Sequence, residues 1–386
     1  MAGRITLFRT TPRIVMGPGA IDGIGREVES LGAKSVLVVT DPGIVESGLF
    51  SRVEASLKDT GLEVRVFSDV TPDPRYEIVE ACVSISGTPD PDCIIGLGGG
   101  SPMDIAKCTA VVIANGGSIY DYLGVDLVPK PGIPTIMVPT TAGTGSEVTP
   151  IAILSDEGEK LKKGVVSSHL FPRVALLDPE LTVSMPPHIT AATGMDAWIH
   201  AIEAFTSVNA TPMTDMLASR AMVLINENLR TAYAQGGSIE ARAAMLEGSL
   251  LAGMAFANAG VTAVHAFAYP IGAEFHIPHG VANSIMLASV MEFNMLGNLP
   301  KFARMADLLG ENTRDLSQRD AAMAAVVAMR SLATDIRIPT SLAEFGIKEE
   351  HIPELAQGVM KVTRLLDNNP RTLTISDAEE IYRRVL

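Results

Sequence analysis

The stretch Cys93-Ile-Ile-Gly-Leu-Gly-Gly-Gly-Ser-Pro-Met-Asp-Ile-Ala-Lys107 joins a short apolar run to three successive glycines and a helical pattern. An apolar run of this length before a turn is typical of a buried parallel strand. Ser101 is a good N-cap and Pro102 suits the first helical position, with Asp104 three residues after the cap. The glycines therefore adjoin a predicted helix N-terminus, which attracts phosphate groups. An ordinary glycine-rich turn would have the same composition.

Strand and helix patterns alternate through the first half of the chain. Apolar β-branched runs predict further strands at residues 34–40, 63–67, 133–139, 151–154 and 174–177, and helical periodicity predicts helices at residues 20–31, 51–60 and 76–86. This alternation predicts a parallel sheet with helices on both faces. Residues 4–16 predict two more short strands around a turn. The lysine-containing segment after residue 154 predicts a charged, mobile connection.

The second half has a different composition. From about Pro186 onward, strand patterns nearly vanish and long stretches of Ala, Met and Leu with helical spacing take over. A chain of 386 residues is long for one hydrophobic core and fits two domains. We therefore predict an α/β domain over residues 1–185 and an all-α domain over residues 186–386.

Charge and cysteine content narrow the class of protein. The net charge of −14 disfavours a nucleic-acid or anionic-membrane partner, because both need a basic surface. It does not exclude a phosphate-bearing cofactor held by backbone N–H groups. Three cysteines without a CxxC pair make a disulfide framework unexpected. With neither a long apolar run nor a leader pattern in the sequence, we expect a soluble, cytoplasmic protein.

Two segments predict contacts with a dinucleotide. Asp41 follows the predicted strand at residues 34–40, where a carboxylate can bind both hydroxyls of an adenosine ribose and would repel a 2′-phosphate, so it favours NAD over NADP. The loop Thr140-Thr-Ala-Gly-Thr-Gly-Ser-Glu147 is rich in hydroxyl groups and glycine, and can donate hydrogen bonds to phosphate and ribose. The simpler interpretations are a turn at Asp41-Pro-Gly and an ordinary polar loop.

A second group of residues predicts a metal site. Asp196 and His200 are four residues apart in a helical pattern, so both side chains lie on one face. His265, His276 and His279 follow in a cluster downstream. A carboxylate and several imidazoles can together hold a divalent metal. Taken singly, an Asp near a helix start is usually a cap, and a lone His is usually a structural residue.

The motifs in their order resemble the iron-containing (group III) alcohol dehydrogenase family, along essentially the whole chain. The resemblance rests on Gly98-Gly-Gly-Ser-Pro-Met-Asp-Ile-Ala-Lys107, Pro139-Thr-Thr-Ala-Gly-Thr-Gly-Ser-Glu147, Gly194-Met-Asp-Ala-Trp-Ile-His-Ala-Ile-Glu203, Ala259-Gly with His265, and Pro278-His-Gly-Val-Ala-Asn283. It implies a Rossmann-like dinucleotide-binding domain, a helical domain and a cleft between them, in a dehydroquinate-synthase-like architecture. It also implies a homodimer or a larger homo-oligomer.

The resemblance assigns candidate site residues by matching position. The metal ligands would be Asp196, His200, His265 and His279. The NAD site would be lined by Asp41, Gly99, Gly100, Ser101, Thr140, Thr141, Thr144, Ser146 and Lys162, to which the predicted helix start adds Asp104. The family metal is Fe(II), although three nitrogens and one oxygen also suit Zn(II). Such a metal lowers the pKa of an alcohol, whose carbon can then pass hydride to a nicotinamide.

Two positions depart from the common family pattern. Many members have a second histidine four residues after the third ligand, thought to relay a proton, and here that residue is Tyr269. A tyrosine can form a hydrogen bond there, but with an ordinary pKa of about 10 it is a poorer proton relay at neutral pH. His276 could compensate, so we count both Tyr269 and His276 as catalytic candidates. Branches of the family that resemble hydroxyacid–oxoacid transhydrogenase also have Tyr at the position of Tyr269. A transhydrogenase-like or other reductase activity on an acidic substrate, with the same metal and NAD site, is therefore the alternative to a dehydrogenase of small alcohols, aldehydes or ketones. The second departure is Asp73, where many members have Asn.

Overall fold

The computed structural model describes residues 5–156 and 161–386. Within this part, the chain divides into two compact units. The first comprises Thr10–Met185, and the second comprises Pro186–Leu386 together with residues 5–9. The α/β unit contains the described β-strands, and the helical unit contains helices and connecting turns.

The secondary-structure elements are numbered in chain order. The strands are β1 (Arg13–Met16), β2 (Ser35–Val39), β3 (Glu63–Phe67), β4 (Cys93–Gly98), β5 (Gly124–Val125), β6 (Thr135–Pro139), β7 (Ile151–Asp156), β8 (Leu161–Val166) and β9 (Val174–Leu177). The helices of the α/β unit are α1 (Ile24–Ser30), α2 (Pro42–Glu46), α3 (Leu49–Lys58), α4 (Tyr76–Ile85) and α5 (Gly100–Asn115). Those of the helical unit are α6 (Pro187–Thr206), α7 (Pro212–Ala234), α8 (Ile239–Ala259), α9 (Ala263–Phe275), α10 (His279–Asn294), α11 (Leu299–Leu308), α12 (Gln318–Asp335), α13 (Ile352–Lys361), α14 (Thr363–Leu366) and α15 (Ile375–Arg383).

The main sheet has six strands in the order β1-β9-β6-β4-β2-β3, and every pairing is parallel. Along β2, Val36 and Val38 face one apolar core and Leu37 and Val39 face the other. Burial of both faces explains why the central strands are almost continuously apolar. The prediction of a parallel α/β domain followed by a helical domain is confirmed.

Two of the local predictions were wrong. Among residues 5–16, only β1 forms, so one of the two expected strands is absent from the part of residues 4–16 that the structure describes. The segment with Lys160, Lys162 and Lys163 was expected to be a mobile connection; Lys160 lies outside the described residues, but the two other lysines belong to β8, which pairs antiparallel with β7 in a second, three-stranded sheet. The two adjacent lysines and Gly164 hide this strand in the sequence, because they break the run of apolar residues that indicates a strand.

The helical unit is organised around α6, a helix of 20 residues. Its Trp198 is fully buried and donates from its indole nitrogen to the carbonyl oxygen of Met222 on α7, at 3.2 Å. Gly194 packs against Leu229 and Met245, where a methyl group would have no room. These contacts with α7 and α8 fix the position of α6, and therefore the direction in which its polar residues point.

Within the described residues, no single helix is long and apolar enough to cross a membrane; only α8 and α9 taken together, bent by 102°, reach that composition.

Candidate metal centre and cofactor site

One face of α6 carries three buried ionisable side chains. Asp196, His200 and Glu203 follow one another at intervals of four and three residues, so they lie in a row along the helix. Their exposed fractions are only 4%, 6% and 0%. Charged and polar groups that are buried this deeply need partners to offset their loss of hydration.

Two more helices bring further imidazoles to Asp196. His265 lies in the first turn of α9, and His279 is the first residue of α10. The Nε2 atoms of His265 and His279 lie 3.8 Å and 3.7 Å from the Oδ1 atom of Asp196. The Nε2 atom of His200 lies 3.1 Å from that of His265. The structure therefore brings all four predicted metal ligands together.

The chemistry of these donors fits a divalent metal. One ligand atom from each of Asp196, His265 and His279 lies within 4.8 Å of the others, close enough to share an ion. The ring of His200 is stacked between Phe256 and His265, with centroid distances of 4.3 Å and 4.8 Å. Burial would raise the pKa of Asp196, but the neighbouring imidazoles lower it overall, so this carboxyl stays an anionic donor.

In the α/β unit, the predicted cofactor contacts follow the carboxyl ends of three adjacent strands. β2 leads to Asp41, β4 leads to Gly99 and Gly100, and β6 leads to Thr140 and Thr141. In the sheet order, β4 lies between β6 and β2. In open parallel sheets, ligands bind beyond the carboxyl ends of the strands.

Close backbone packing defines this edge. A Cβ atom on Gly98 would lie 3.1 Å from the Oδ2 atom of Asp41, and one on Gly100 would lie 2.8 Å from a methyl carbon of Thr144. Gly98 also has a φ of +145°, which few other residues adopt. The three turns therefore pack against one another at the carboxyl edge of the sheet, where the predicted dinucleotide contacts lie.

Comparison with known proteins identifies the family. The family model for "Iron-containing alcohol dehydrogenase" matches residues 11–179. The model for "Fe-containing alcohol dehydrogenase family, C-terminal" matches residues 190–386. The chain belongs to the iron-containing alcohol dehydrogenase family. The resemblance inferred from the motifs is therefore confirmed, as is the prediction of an oxidoreductase of the alcohol dehydrogenase type.

Individual family members are similar over the full length. The NAD-dependent methanol dehydrogenase of Bacillus methanolicus is 41% identical over 382 residues, which cover 99% of this chain and 100% of that protein. The solved structure of a 1,3-propanediol oxidoreductase has a TM-score of 0.97 at 38% identity, covering 99% of this chain and 100% of that one. The sulfoacetaldehyde reductase of Bifidobacterium kashiwanohense, solved in complex with NAD+, has a TM-score of 0.89 at 33% identity, covering 99% of each chain.

The start of α5 in this alcohol dehydrogenase differs from the sequence prediction. The helix begins at Gly100 with Gly99 as the N-cap, so Ser101 is already inside the first turn. The side chain of Asp104 points away from the helix start, because it accepts hydrogen bonds from the hydroxyl of Ser146 at 2.6 Å and from the backbone N–H of Ile153 at 2.9 Å. The carboxylate of Asp104 is therefore already bound to the protein behind the loops.

A buried lysine completes this group behind the loops. The Nζ atom of Lys107 donates to the hydroxyl of Ser146 at 2.6 Å and to the carbonyl oxygen of Ile151 at 2.9 Å. The adjacent Glu147 is 1% exposed, and burial raises its pKa to about 7. Asp104, Lys107 and Ser146 thus tie α5 to the segment that follows β6, and we name these three residues the loop clamp.

Asp41 and Lys162, both predicted to contact the cofactor, differ in position: Asp41 lies at the edge of the main sheet, and Lys162 lies away from it. Asp41 caps α2 by accepting from the backbone N–H of Ile44 at 3.1 Å. This bond uses Oδ1, while Oδ2 borders Gly98 at the edge of the sheet. Lys162 lies on β8 and forms an ion pair with Asp73, so this family departure has a partner outside the loops at the sheet edge.

Two residues beside the metal ligands had no role in the sequence prediction. Glu203 is hydrogen-bonded to His265, and the side-chain nitrogen of Asn283 donates a hydrogen bond to Oδ1 of Asp196 at 2.8 Å. The same nitrogen lies 3.2 Å from Nε2 of both His265 and His279. The spacing of Asn283 four residues after His279 was an available signal, because it places both on one face of a helix.

The two catalytic candidates differ in position. The ring of Tyr269 lies edge-on to His265, with centroids 6.5 Å apart, and 6.1 Å from the ring of His279. Burial raises the pKa of Tyr269, so its hydroxyl stays protonated at neutral pH. His276 is exposed and ends α9 in a left-handed conformation, with a φ of +53°. Only Tyr269 therefore adjoins the candidate ligands in the described structure.

Proposed function

We propose that this enzyme transfers hydride between a small alcohol, or its aldehyde or ketone, and NAD(H), with a divalent metal held by Asp196, His200, His265 and His279. The convergence of one carboxylate and three imidazoles carries the proposal, because this donor set fits Fe(II), the family metal, and also Zn(II). A bound divalent ion supplies a Lewis acid that lowers the pKa of an alcohol hydroxyl. Bound NAD supplies the hydride acceptor.

The cofactor part of the proposal rests on the edge of the sheet. Backbone N–H groups at Gly99–Ser101 hold the pyrophosphate at the N-terminus of α5, and the Oδ2 atom of Asp41 accepts from the adenosine ribose. The hydroxyls of Thr140, Thr141 and Thr144 donate to phosphate or ribose. The loop clamp acts from behind by fixing these loops, so Asp104 and Ser146 have an indirect role. Lys162, which forms an ion pair with Asp73, is the last of the proposed cofactor residues.

Tyr269 has a defined role in this scheme. Its raised pKa makes the phenol a hydrogen-bond donor at neutral pH and a poor base. In this proposal, the hydroxyl of Tyr269 orients the substrate oxygen beside His265 and His279. The exposed position of His276 gives no support to a part in proton transfer. Homo-oligomeric assembly belongs to the same proposal and rests on the family resemblance, and a cytoplasmic location stays a prediction of the sequence.

The experiment is a screen of NAD reduction at 340 nm. Protein reloaded with Fe(II) or Zn(II) is supplied with alcohols, diols and hydroxyacids, each as the only substrate. We expect steady formation of NADH with at least one alcohol, and loss of that activity on treatment with a chelator. Activity that survives complete removal of metal would contradict the proposed role of the four ligands.

One observation favours a second candidate function. Tyr269 replaces the histidine of many relatives, and the similar structure from Bifidobacterium kashiwanohense belongs to a reductase of an anionic aldehyde. A hydroxyacid–oxoacid transhydrogenase, or a reductase of an acidic substrate, would use the same metal and NAD site. A second set of reactions, in which an oxoacid is added to each hydroxyacid, separates the two candidates, because a transhydrogenase turns over only in that set and releases no NADH.

A further inference from the structure

Glu203 makes four hydrogen bonds although it is fully buried. Its Oε1 atom accepts from the backbone N–H of Thr262 at 3.0 Å, from the Thr262 hydroxyl at 2.7 Å and from the backbone N–H of Val264 at 2.8 Å. Its Oε2 atom is bonded to Nδ1 of His265. Oε1 therefore accepts from three donors of the segment before His265, while Oε2 faces a ring nitrogen of His265 itself.

The three bonds to Oε1 place the start of α9. Thr262 is the N-cap of this helix, yet its own side chain makes no cap bond. Helix N-termini leave N–H groups without intrahelical partners, and a carboxylate there is favourable because of the helix dipole. Glu203 supplies that carboxylate from α6, with Asn369 accepting from the next N–H group, that of Ala263, at 3.3 Å. His265 therefore begins its helix in a position that α6 determines.

The remaining bond decides which nitrogen of His265 is free. An imidazole that binds an ion through the lone pair of Nε2 carries its proton on Nδ1, and Oε2 of Glu203 lies where it can accept a hydrogen bond from that proton. Nε2 is the atom that lies 3.8 Å from Asp196 and 3.1 Å from Nε2 of His200. A carboxylate bonded to the distal nitrogen also makes an imidazole a stronger donor.

We propose that Glu203 is a positioning residue for the metal: it fixes His265 in the Nδ1–H tautomer and directs the Nε2 lone pair to the ion. This inference rests on the proposed function, because it assumes that His265 is a ligand. Asp196, His200 and Glu203 then form one unit on α6, in which two residues bind the ion and the third orients a ligand from α9.

The decisive variant is Glu203→Gln, which has nearly the same shape. Its carbonyl oxygen still accepts from Thr262 and Val264, but its NH₂ group now faces Nδ1 of His265 and donates to it. The ring proton must then be on Nε2, the atom needed for the metal. We expect zinc affinity, measured by competition with a chelator, to fall about 10- to 100-fold.

Thr262→Val is the matched control. It removes one donor to Oε1 and leaves the bond between Glu203 and His265 intact. We expect its zinc affinity to stay within about threefold of the unchanged protein, although its melting temperature falls. If Glu203 acted only as a structural support, both variants would lose zinc affinity in proportion to their loss of stability, and the proposal would be overturned.

A spectroscopic measurement on the unchanged protein keeps the test independent of folding of the variants. The chain has seven histidines, so ¹⁵N-histidine NMR of the zinc-loaded protein is tractable, with His265→Ala identifying the resonance. We expect a strongly hydrogen-bonded Nδ1–H proton and zinc-bound Nε2. Zinc bound through Nδ1 of His265 would refute the inference and leave the metal site standing, whereas no zinc binding at all would refute the proposed function itself.

Discussion

The candidate metal site and the candidate cofactor site are built in opposite ways. At the candidate metal site, side chains from three helices converge, and further side chains bond to them: Glu203 to His265 and Asn283 to Asp196. At the candidate cofactor site, the predicted contacts are backbone groups and small side chains, and the two charged residues of the loop clamp both bond to Ser146. The first site therefore depends on the identity of each side chain, and the second on the shape that a backbone is held in.

Removal of a candidate ligand should have the largest effect. In His265→Ala, we expect loss of stoichiometric metal and a fall in activity of at least about 1000-fold, or about 4 kcal/mol of transition-state stabilisation. Metal content by mass spectrometry and NADH formation are the measurements. His188→Ala, at an exposed position on the same helix as His200, should retain both. Full activity in a metal-free His265→Ala protein would show that the candidate metal site does not depend on the identity of this side chain.

Lys107→Met tests the loop clamp. Loss of a buried cation leaves Asp104 without its charge partner, which should lower the free energy of unfolding by about 3–5 kcal/mol. Calorimetric unfolding is the measurement. Lys58→Met is the control, because the ion pair of Lys58 with Glu54 is exposed and should be worth at most about 1 kcal/mol. Equal effects of the two substitutions would mean that the clamp does not support the loops.

Glu147 predicts a dependence of stability on pH. Its pKa is raised to about 7 in the folded protein, from an ordinary value of 4.5, so the folded state keeps a proton that the unfolded chain releases. This group therefore makes the protein less stable as pH rises from about 4.5 to 7, by up to about 3 kcal/mol. Glu147→Gln cannot ionise, so its stability relative to the unchanged protein should increase between pH 5 and pH 8. A difference that is constant with pH would place a charged carboxylate at this position.

Gly100→Ala tests whether shape alone determines cofactor binding. The new methyl group would lie 2.8 Å from a carbon of Thr144, so the two loops must separate. We expect the KM for NAD to rise about 10- to 100-fold, the smallest effect of the four. Gly23→Ala is the control, since nothing lies near its Cβ position. Adding Thr144→Ser removes the conflicting methyl group and should restore the KM; no recovery would point to another cause.

The sequence predicts those parts of both sites that depend on local spacing. Asp196 and His200 could be paired because a helix places residues four apart on one face. The order of strands and turns placed Asp41 and the Gly98–Gly100 turn at strand ends. Parallel pairing then put those ends on one edge of the sheet, so the main features of the fold could be expected.

The residues that support the sites could not be predicted, because their partners are distant in sequence. Glu203 bonds to residues 59 to 62 positions away, and Ser146 bonds to Lys107 and Asp104 at separations of 39 and 42. Such contacts exist only after α5, α6 and α9 have packed. Ser101 was expected to cap α5 because of its side chain, whereas the N-cap is Gly99, two residues earlier. Local propensity for an N-cap was overridden by the tertiary position of the turn.

The placement of three functional groups on α6 has a consequence for metal exchange. Asp196, His200 and Glu203 are buried side chains of one continuous helix, which the bond from Trp198 to Met222 ties to α7. Little conformational freedom remains to be lost when an ion binds, so the affinity for each ion is set by its preference for nitrogen and oxygen donors. The metal content of the enzyme should therefore follow the supply of ions during growth, and the same polypeptide should accept replacement of one divalent ion by another without refolding.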